Sequence, residues 1–288
     1  PDGEGVLENI IAVAAGDSYS LALDKDGNVY AWGYNGYGNL GLGDTNTRTL
    51  PVKVQALEKI TKIEASNVSS FAIDSNNKLW VAGYNGYGNL GDGTTSNRAT
   101  FTQNPILDEV ADVSASPVNS TIALLLDGTV WGFGNNTYNA LTNVGGAVPQ
   151  QLTSEEGSLS KITAINEGYY SGYAITSEEK VVTWGLNNYA QLATGDKTTK
   201  TLATYMKDKE GQDFTDVMII SGGTYNTEIA KNDGTVWSIG YNGYGELGDG
   251  STNSINYLES ISTQYIELAE REVTLKLSNP NYQINPKT

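Results

Sequence analysis

The sequence predicts an all-β protein, a β-propeller of four-stranded antiparallel blades with about 50 residues each. Three observations predict it. The stretch Gly33-Tyr34-Asn35-Gly36-Tyr37-Gly38-Asn39-Leu40-Gly41 returns almost unchanged at 83–91 and, with one Glu, at 240–248. Weaker copies begin at Gly134 and Gly185, so successive copies start 50, 51, 51 and 55 residues apart. A repeat of this length is one supersecondary unit that cannot bury its core alone. Each unit holds short apolar stretches broken by Gly, Asp and Asn, which reads as antiparallel strands and not as a helical repeat. All five tryptophans fall in the third stretch of their unit, at two positions two residues apart, which a strand places on one face.

In unit one, Ile10–Ala15 is a first strand, ended by Gly16-Asp17, and Ser20–Leu23 is the second. Asp26-Gly27 signals a two-residue hairpin, whose type I′ form needs φ > 0 at both central residues. Val29–Trp32 is the third strand and ends at Gly33; the glycine-rich loop follows, then Thr49–Val54 as the fourth. Pro51 suits an outer edge, where a missing N–H is not needed. Further first strands begin near Ile60, Val110, Ile162 and Val217. Hairpins fall at Asn76-Asn77, Asp127-Gly128, Glu178-Glu179 and Asp233-Gly234, and third strands end at Gly83, Gly134, Gly185 and Gly240. Trp80, Trp131 and Trp237 lie three residues before the closing glycine, and Trp32 and Trp184 one before. The expectation is one core layer of alternating large and smaller groups, with each Trp burying about 150–250 Å².

The propeller is expected over residues 1–266, in five units of about 10–59, 60–109, 110–161, 162–216 and 217–266. Residues 1–9 read as the end of a unit, since Pro1 through Leu7 line up with Pro51 through Leu57. With no initial Met, this suggests a piece of a longer array with blades missing upstream, or a smaller ring closed by this segment. Residues 267–288 are expected to be a linker and the first strand of a further domain. There Val273-Thr274-Leu275-Lys276-Leu277 alternates and Asn279-Pro280-Asn281 breaks the pattern.

Composition narrows function. The formal charge of −16 and pI near 4.3 oppose nucleic acid and anionic membranes as partners. There is no Cys and no His, so thiolate chemistry and a Ser-His-Asp triad are excluded and the usual neutral-pH base is missing. No apolar run approaches the ~18 residues of a membrane span, so no membrane insertion is expected.

Gly16, Ser20, Ala22-Leu23, Asp26-Gly27, Val29, Trp32-Gly33, Asn35, Gly38, Leu40-Gly41 and Gly43 together resemble the regulator-of-chromosome-condensation repeat. The resemblance spans about residues 1–266 and recurs five times. It implies a β-propeller, with seven blades in the best-known members. The chain departs from the family pattern at the His position, which holds Tyr19, Ser69, Ser120, Ser171 and Asn226. It departs again at the Gln position, which holds Asn39, Asn89, Ala140, Gln191 and Glu246. The family's nuclear member is an exchange factor for a small GTPase and docks on nucleosomes; no segment here carries those contacts, and the acidic charge opposes the chromatin role. Bacterial secreted proteins that use these repeats include an inhibitor that caps β-lactamases. The Tyr/Asn/Thr-rich loops and low Arg content are similar to that group, and the tail from Ile266 resembles the opening of a bacterial Ig-like domain. The resemblance therefore implies a secreted or cell-surface module of a larger bacterial protein.

Chemistry is sought in the glycine loop. All five copies keep the first Gly, an Asn two later, a Tyr four later and a Leu seven later. In one reading Asn bonds the loop backbone, Leu anchors the core and Tyr packs between blades. In the other, Tyr and Asn form a rim that stacks on sugars and bonds their hydroxyls. The candidate binding residues are Tyr34, Asn35, Tyr37, Tyr84, Asn85, Tyr87, Tyr241, Asn242 and Tyr244. An extra Tyr follows the first Gly only at Tyr34, Tyr84 and Tyr241. Asp24-x-Asp26-Gly27-Asn28 resembles a calcium loop but lacks the downstream Glu, so no metal and no cofactor is expected. Acidic residues sit in turns such as Asp108-Glu109, Glu155-Glu156 and Asp213/Asp216, where they read as solvated. The functional expectation is a non-catalytic extracellular binding module that presents propeller loops to a protein partner. The alternative is a lectin-like, glycan-binding propeller. A glycoside hydrolase with a carboxylate pair ranks third.

Overall fold

The computed structural model describes residues 6–261. Five antiparallel sheets follow one another along the chain. Blade 1 is β1 (Ile10–Ala15), β2 (Tyr19–Asp24), β3 (Val29–Gly33) and β4 (Arg48–Lys53). Blade 2 is β5 (Ile60–Ala65), β6 (Ser69–Asp74), β7 (Leu79–Gly83) and β8 (Arg98–Gln103). Blade 3 is β9 (Val110–Ala115), β10 (Ser120–Leu125), β11 (Val130–Gly134) and β12 (Gly146–Gln151). A small hairpin, β13 (Thr153–Ser154) and β14 (Gly157–Ser158), precedes blade 4, which is β15 (Ile162–Glu167), β16 (Ser171–Thr176), β17 (Val181–Gly185) and β18 (Lys200–Tyr205). Blade 5 is β19 (Val217–Gly222), β20 (Asn226–Lys231), β21 (Val236–Gly240) and β22 (Ile255–Ser260). The all-β fold and its four-stranded blades are as expected. The Ig-like strand expected within 267–288 lies outside the described residues.

In every blade the strands are ordered as they occur in the chain. First strands lie beside first strands from blade to blade and form the inner edge. Fourth strands form the outer edge, where Pro51 sits in β4. The hairpin β13–β14 adds to the outer edge of blade 4 by pairing parallel with β18. Sequence reading missed this addition, which lies at the end of unit three.

Strand alternation gives each blade two faces. Leu21, Leu23, Val29 and Ala31 of blade 1 pack on Ile60, Ala72, Ala82 and Phe101 of blade 2. The same surfaces recur at later junctions, as in Phe71, Ile73, Leu79 and Val81 against Val110, Ala123 and Phe133. Val13 of blade 1 is 76% exposed, while its counterpart Ile63 packs against the blade before it.

A polar bond accompanies each apolar junction. The second residue of β6, β10 and β20 reaches back to a loop carbonyl of the preceding blade. Ser70 Oγ donates to Asn39 O at 2.6 Å, Thr121 Oγ1 to Asn89 O at 3.0 Å and Thr227 Oγ1 to Gln191 O at 2.8 Å. Blade 4 holds Gly172 at this position. The Trp184 indole fills the space a Gly172 side chain would take. Its Nε1 donates to Ala140 O at 2.7 Å instead.

Two sequence expectations change. The hairpins are not two-residue type I′ turns. Asp26 is absent from the positive-φ residues while Gly27 has φ 81°. Gly27 N donates to Asp24 O, and Asp24 N to Asn28 O. That pattern is a type I turn followed by one left-handed residue, a three-residue loop. The Asp24 carboxylate selects it by accepting from the Asp26 and Asn28 amides, both at 2.9 Å. All five hairpins share this backbone pattern, with Asn77, Gly128, Glu179 and Gly234 left-handed. The tryptophans do not form one buried layer either. Trp184 is fully buried, whereas Trp80, Trp131 and Trp237 sit half-buried at the hairpin end. Their indoles donate to Asp74, Thr129 and Thr235.

Two acids that the sequence does not single out, Glu64 and Glu167, clamp the inner edge. Glu64 Oε1 accepts from the Ala115 amide at 3.4 Å and Glu167 Oε2 from the Ser116 amide at 3.2 Å, both across a blade junction. Glu167 Oε1 is buried without a partner. Burial pushes the Glu64 carboxyl up to about 7, with the Asp112 charge adding to it. Burial also raises Glu167 well above the usual range, and the Glu64 charge adds to that.

Two predictions follow from these junctions. A carboxyl raised in the fold contributes stability that is full below its unfolded pKa and is lost as pH rises through its folded one. The melting temperature should therefore fall as pH rises from about 5 to about 8, by roughly 5 °C or more. Glu64→Gln and Glu167→Gln should flatten that fall; an unchanged pH profile in the double variant would contradict the assignment. At the third junction, Trp184→Ile should cost about 3 kcal/mol by chemical denaturation. Adding Gly172→Thr rebuilds the arrangement of Thr227 and Ile239 and should recover more than half of that loss.

Candidate functional site

The turns between first and second strands and the glycine loops after third strands lie at the same end of the blades. Backbone bonds tie the two together. Tyr34 N donates to Ser18 O, Tyr84 N to Val68 O, Asn135 N to Asn119 O, Leu186 N to Tyr170 O and Tyr241 N to Tyr225 O. Each loop leaves its strand at a glycine with positive φ. At Gly33 φ is 103°, and a Cβ would collide with Ser18 O and the Tyr19 backbone. Any other residue there would be strained.

The five loop asparagines all make the same bond. Leu40, Leu90, Leu141, Leu192 and Leu247 amides donate to Oδ1 of Asn35, Asn85, Asn136, Asn187 and Asn242, at 2.9–3.0 Å. Asn35 Nδ2 donates to Asp44 O, and Asn85 and Asn242 Nδ2 to Asp92 and Asp249 carboxylates. Asn35, Asn85 and Asn242 are fully buried, as are the loop leucines. These three candidate residues are therefore fasteners of the loop, and their amides are not offered to a ligand.

The tyrosines are outside. Tyr34, Tyr37, Tyr87 and Tyr244 are exposed, with Tyr244 at 88%, and Tyr84 and Tyr241 are half-buried. In three loops the ring after the first Gly folds back over the glycine two residues later. A Cβ at Gly36, Gly86 or Gly243 would strike the ring and hydroxyl of Tyr34, Tyr84 or Tyr241. The second tyrosine of one loop then meets the first of the next blade edge-on. Tyr37 and Tyr84 have centroids 5.3 Å apart at 76°, and Tyr189 and Tyr241 are 5.1 Å apart at 69°.

The result is two aromatic patches on one rim. Tyr34, Tyr37, Tyr84 and Tyr87 make a chain over blades 1 and 2. Tyr138, Tyr170, Tyr225, Tyr189, Tyr241 and Tyr244 make a second over blades 3 to 5, with Tyr169 against Tyr170. The gap falls where blade 3 has Asn135 in place of the first tyrosine. Sequence reading missed Tyr169, Tyr170 and Tyr225. The signal was available: they occupy the turn before the second strand, where other units hold Ser18, Val68 and Asn119.

A cleft of about 460 Å³ opens in the first patch, lined by Asp17, Ser18, Tyr34, Tyr37, Asn67, Val68, Tyr84 and Asn119. Two clefts of about 420 and 430 Å³ lie at the opposite, hairpin end of blades 4 and 5. Paired charges border them, since Asp213 joins both Lys180 and Lys207. The Asp24 carboxylate of the calcium-like stretch is occupied by turn amides and the Asn28 side chain. No group of three or more metal-ligating acids occurs among the described residues.

A row of four-stranded blades that displays one rim of loops is a repeat-built propeller scaffold. The chain belongs to the RCC1-like domain family, whose model matches residues 1–275. It is 28% identical over 269 residues to the ultraviolet-B receptor UVR8 of Arabidopsis thaliana, covering 92% of this chain and 48% of that one. It is 28% identical over 249 residues to the human E3 ubiquitin-protein ligase HERC2, covering 85% of this chain and 4% of that one. The chain thus matches less than half the length of either relative. Human WBSCR16 superimposes with a TM-score of 0.75 at 19% identity, over 88% of this chain and 67% of that one. Yeast RCC1 (Prp20), crystallised with Kap60, gives 0.60 at 18%, over 88% and 75%. Those likenesses show the shared fold.

The two halves of the loop motif should separate on mutation. Asn85→Ala leaves buried donors and acceptors unpaired and should cost about 2–3 kcal/mol. Tyr34→Ala, Tyr84→Ala and Tyr241→Ala should each cost less than about 1 kcal/mol. Thermal denaturation checks both, and a large loss in the tyrosine variants would return those rings to the core.

Proposed function

We propose that this propeller is a non-catalytic binding module whose tyrosine rim engages a protein partner. We place it in a larger secreted or surface-displayed bacterial protein. The rim itself carries the reading. Among the described residues eleven tyrosine rings form two contacting patches on one rim, drawn from the glycine loops and the turns beside them. Tyrosine offers large amphipathic area at low conformational-entropy cost, and binding surfaces concentrate it. The loops beneath are pinned by buried asparagines, so the surface is preorganised. RCC1-like propellers form a family of protein-interaction modules, and yeast RCC1 has been crystallised with Kap60. The extracellular placement rests on the Tyr/Asn/Thr-rich loops and scarcity of Arg; the relatives named above are eukaryotic and bear on the fold.

The glycan reading needs asparagine amides to bond sugar hydroxyls, and Asn35, Asn85 and Asn242 are spent inside their loops. The hydrolase reading needs two carboxylates facing one cleft. Among the described residues the tyrosine cleft carries one, Asp17; the hairpin-end clefts of blades 4 and 5 carry several, of which Asp213 is paired with Lys180 and Lys207.

The test compares the chain with its Tyr34→Ala/Tyr84→Ala/Tyr241→Ala variant in capture from bacterial surface fractions. The expected outcome is a captured protein that the variant loses while its melting temperature holds. Equal capture by both, or saturable binding to a glycan panel, would contradict the reading.

A further inference from the structure

The cleft between blades 1 and 2 has a specific chemistry. Three of its walls are aromatic. Tyr37 stands 6.2 Å from Tyr34 at 70° and 5.3 Å from Tyr84 at 76°. Tyr37 meets each of the other two rings edge-on, so the rings are not a flat stack. The remaining lining is polar, with Asn67, Asn119, Ser18 and one carboxylate, Asp17. Among the described residues the Asp17 carboxylate faces solvent and accepts only the Ser18 hydroxyl, at 3.0 Å, and no Lys or Arg lines the cleft. Elsewhere in the loops Arg48, Arg98 and Lys200 pair with Asp44, Asp92 and Asp196.

Aromatic faces carry negative potential and attract cations within about 6 Å. The unpaired carboxylate adds a full charge, and the net charge of −16 raises the local concentration of cations. We propose that this cleft is an aromatic cage for a cationic side chain, Arg or Lys, carried by the protein partner. The inference rests on the protein-partner reading and names the group that the rim selects. It commits the rim to a basic segment and excludes an acidic one. The ring of Tyr34 is set by Gly36, whose bare Cα it covers. Gly36 has no positive φ that would strain another residue. A side chain there displaces the ring alone.

The test uses the full 288-residue chain labelled with 3-fluorotyrosine and followed by fluorine NMR, with resonances assigned by single Tyr→Phe changes. The probes are N-acetyl-arginine amide and its neutral isostere, N-acetyl-citrulline amide. The expected result is saturable shifts at Tyr34, Tyr37 and Tyr84 with the arginine probe, and binding of citrulline at least roughly fivefold weaker. Asp17→Asn should weaken arginine binding roughly two- to fivefold. Gly36→Ala should abolish the shifts while the melting temperature stays in place. Citrulline binding as well as arginine, or an Asp17→Asn variant that binds unchanged, overturns the cage. Partner capture discriminates the two readings. Capture that needs the tyrosines but ignores Asp17→Asn and excess arginine amide keeps the protein-partner reading and rejects the cage. Arginine amide in the cleft with no tyrosine-dependent capture keeps the cage and rejects that reading.

Discussion

Each junction between blades turns on one hydrogen bond to the carbonyl of residue 39, 89, 140 or 191. That carbonyl belongs to the glycine loop, one residue before the leucine that anchors it. The donor belongs to the next blade, on its second strand at three junctions and on the third strand of blade 4, where it is Trp184. A single bond therefore fixes two things, the stacking of blades and the height of the loop on the rim. Blade 4 shows how strongly the position is constrained. Its second strand has glycine at position 172 and so offers no hydroxyl there, and the indole of Trp184 both fills the space and supplies the donor. A buried carbonyl left without a partner costs more than the bond itself contributes net, so the position needs a donor from elsewhere.

Much of this was legible in the sequence, because periodicity is the strongest signal a chain carries. Strand positions, the edge placement of Pro51 and the anchoring role of the loop leucines all follow from spacing and residue type. What escaped depends on side chains acting at a distance. Asp24 chooses the hairpin type through its carboxylate, two residues before the Asp-Gly pair that drew attention. Glu64 and Glu167 look like surface acids in a strand of mixed polarity. Glu167 is buried and Glu64 partly buried at the blade junctions, where the neighbouring blade brings amides to them. The role of Trp184 is visible only with Gly172, twelve residues away in the chain and adjacent in the sheet.

The loop motif divides along a physical line. Asparagine can accept and donate within a tight turn and is consumed by doing so. Tyrosine cannot satisfy the loop backbone from the same position and is pushed to the surface, where its ring finds the next blade. Sequence recurrence alone cannot separate these, since both residues return in every copy. Burial separates them at once, and it also shows Tyr169, Tyr170 and Tyr225 joining the rim from a different turn. The functional surface is thus a property of the stacked blades and not of any one repeat.

The central claim is that the rim is rigid before any partner arrives. Amide hydrogen exchange of the free chain tests it directly, at Leu40, Leu90, Leu192 and Leu247, whose N–H groups are bonded to the loop asparagines. The account predicts protection equal to that of the second strands, because both open only when the blade junction opens. Exchange at those four amides orders of magnitude faster than in the strands would show that the loops move on their own, and the preformed tyrosine surface would fall with them.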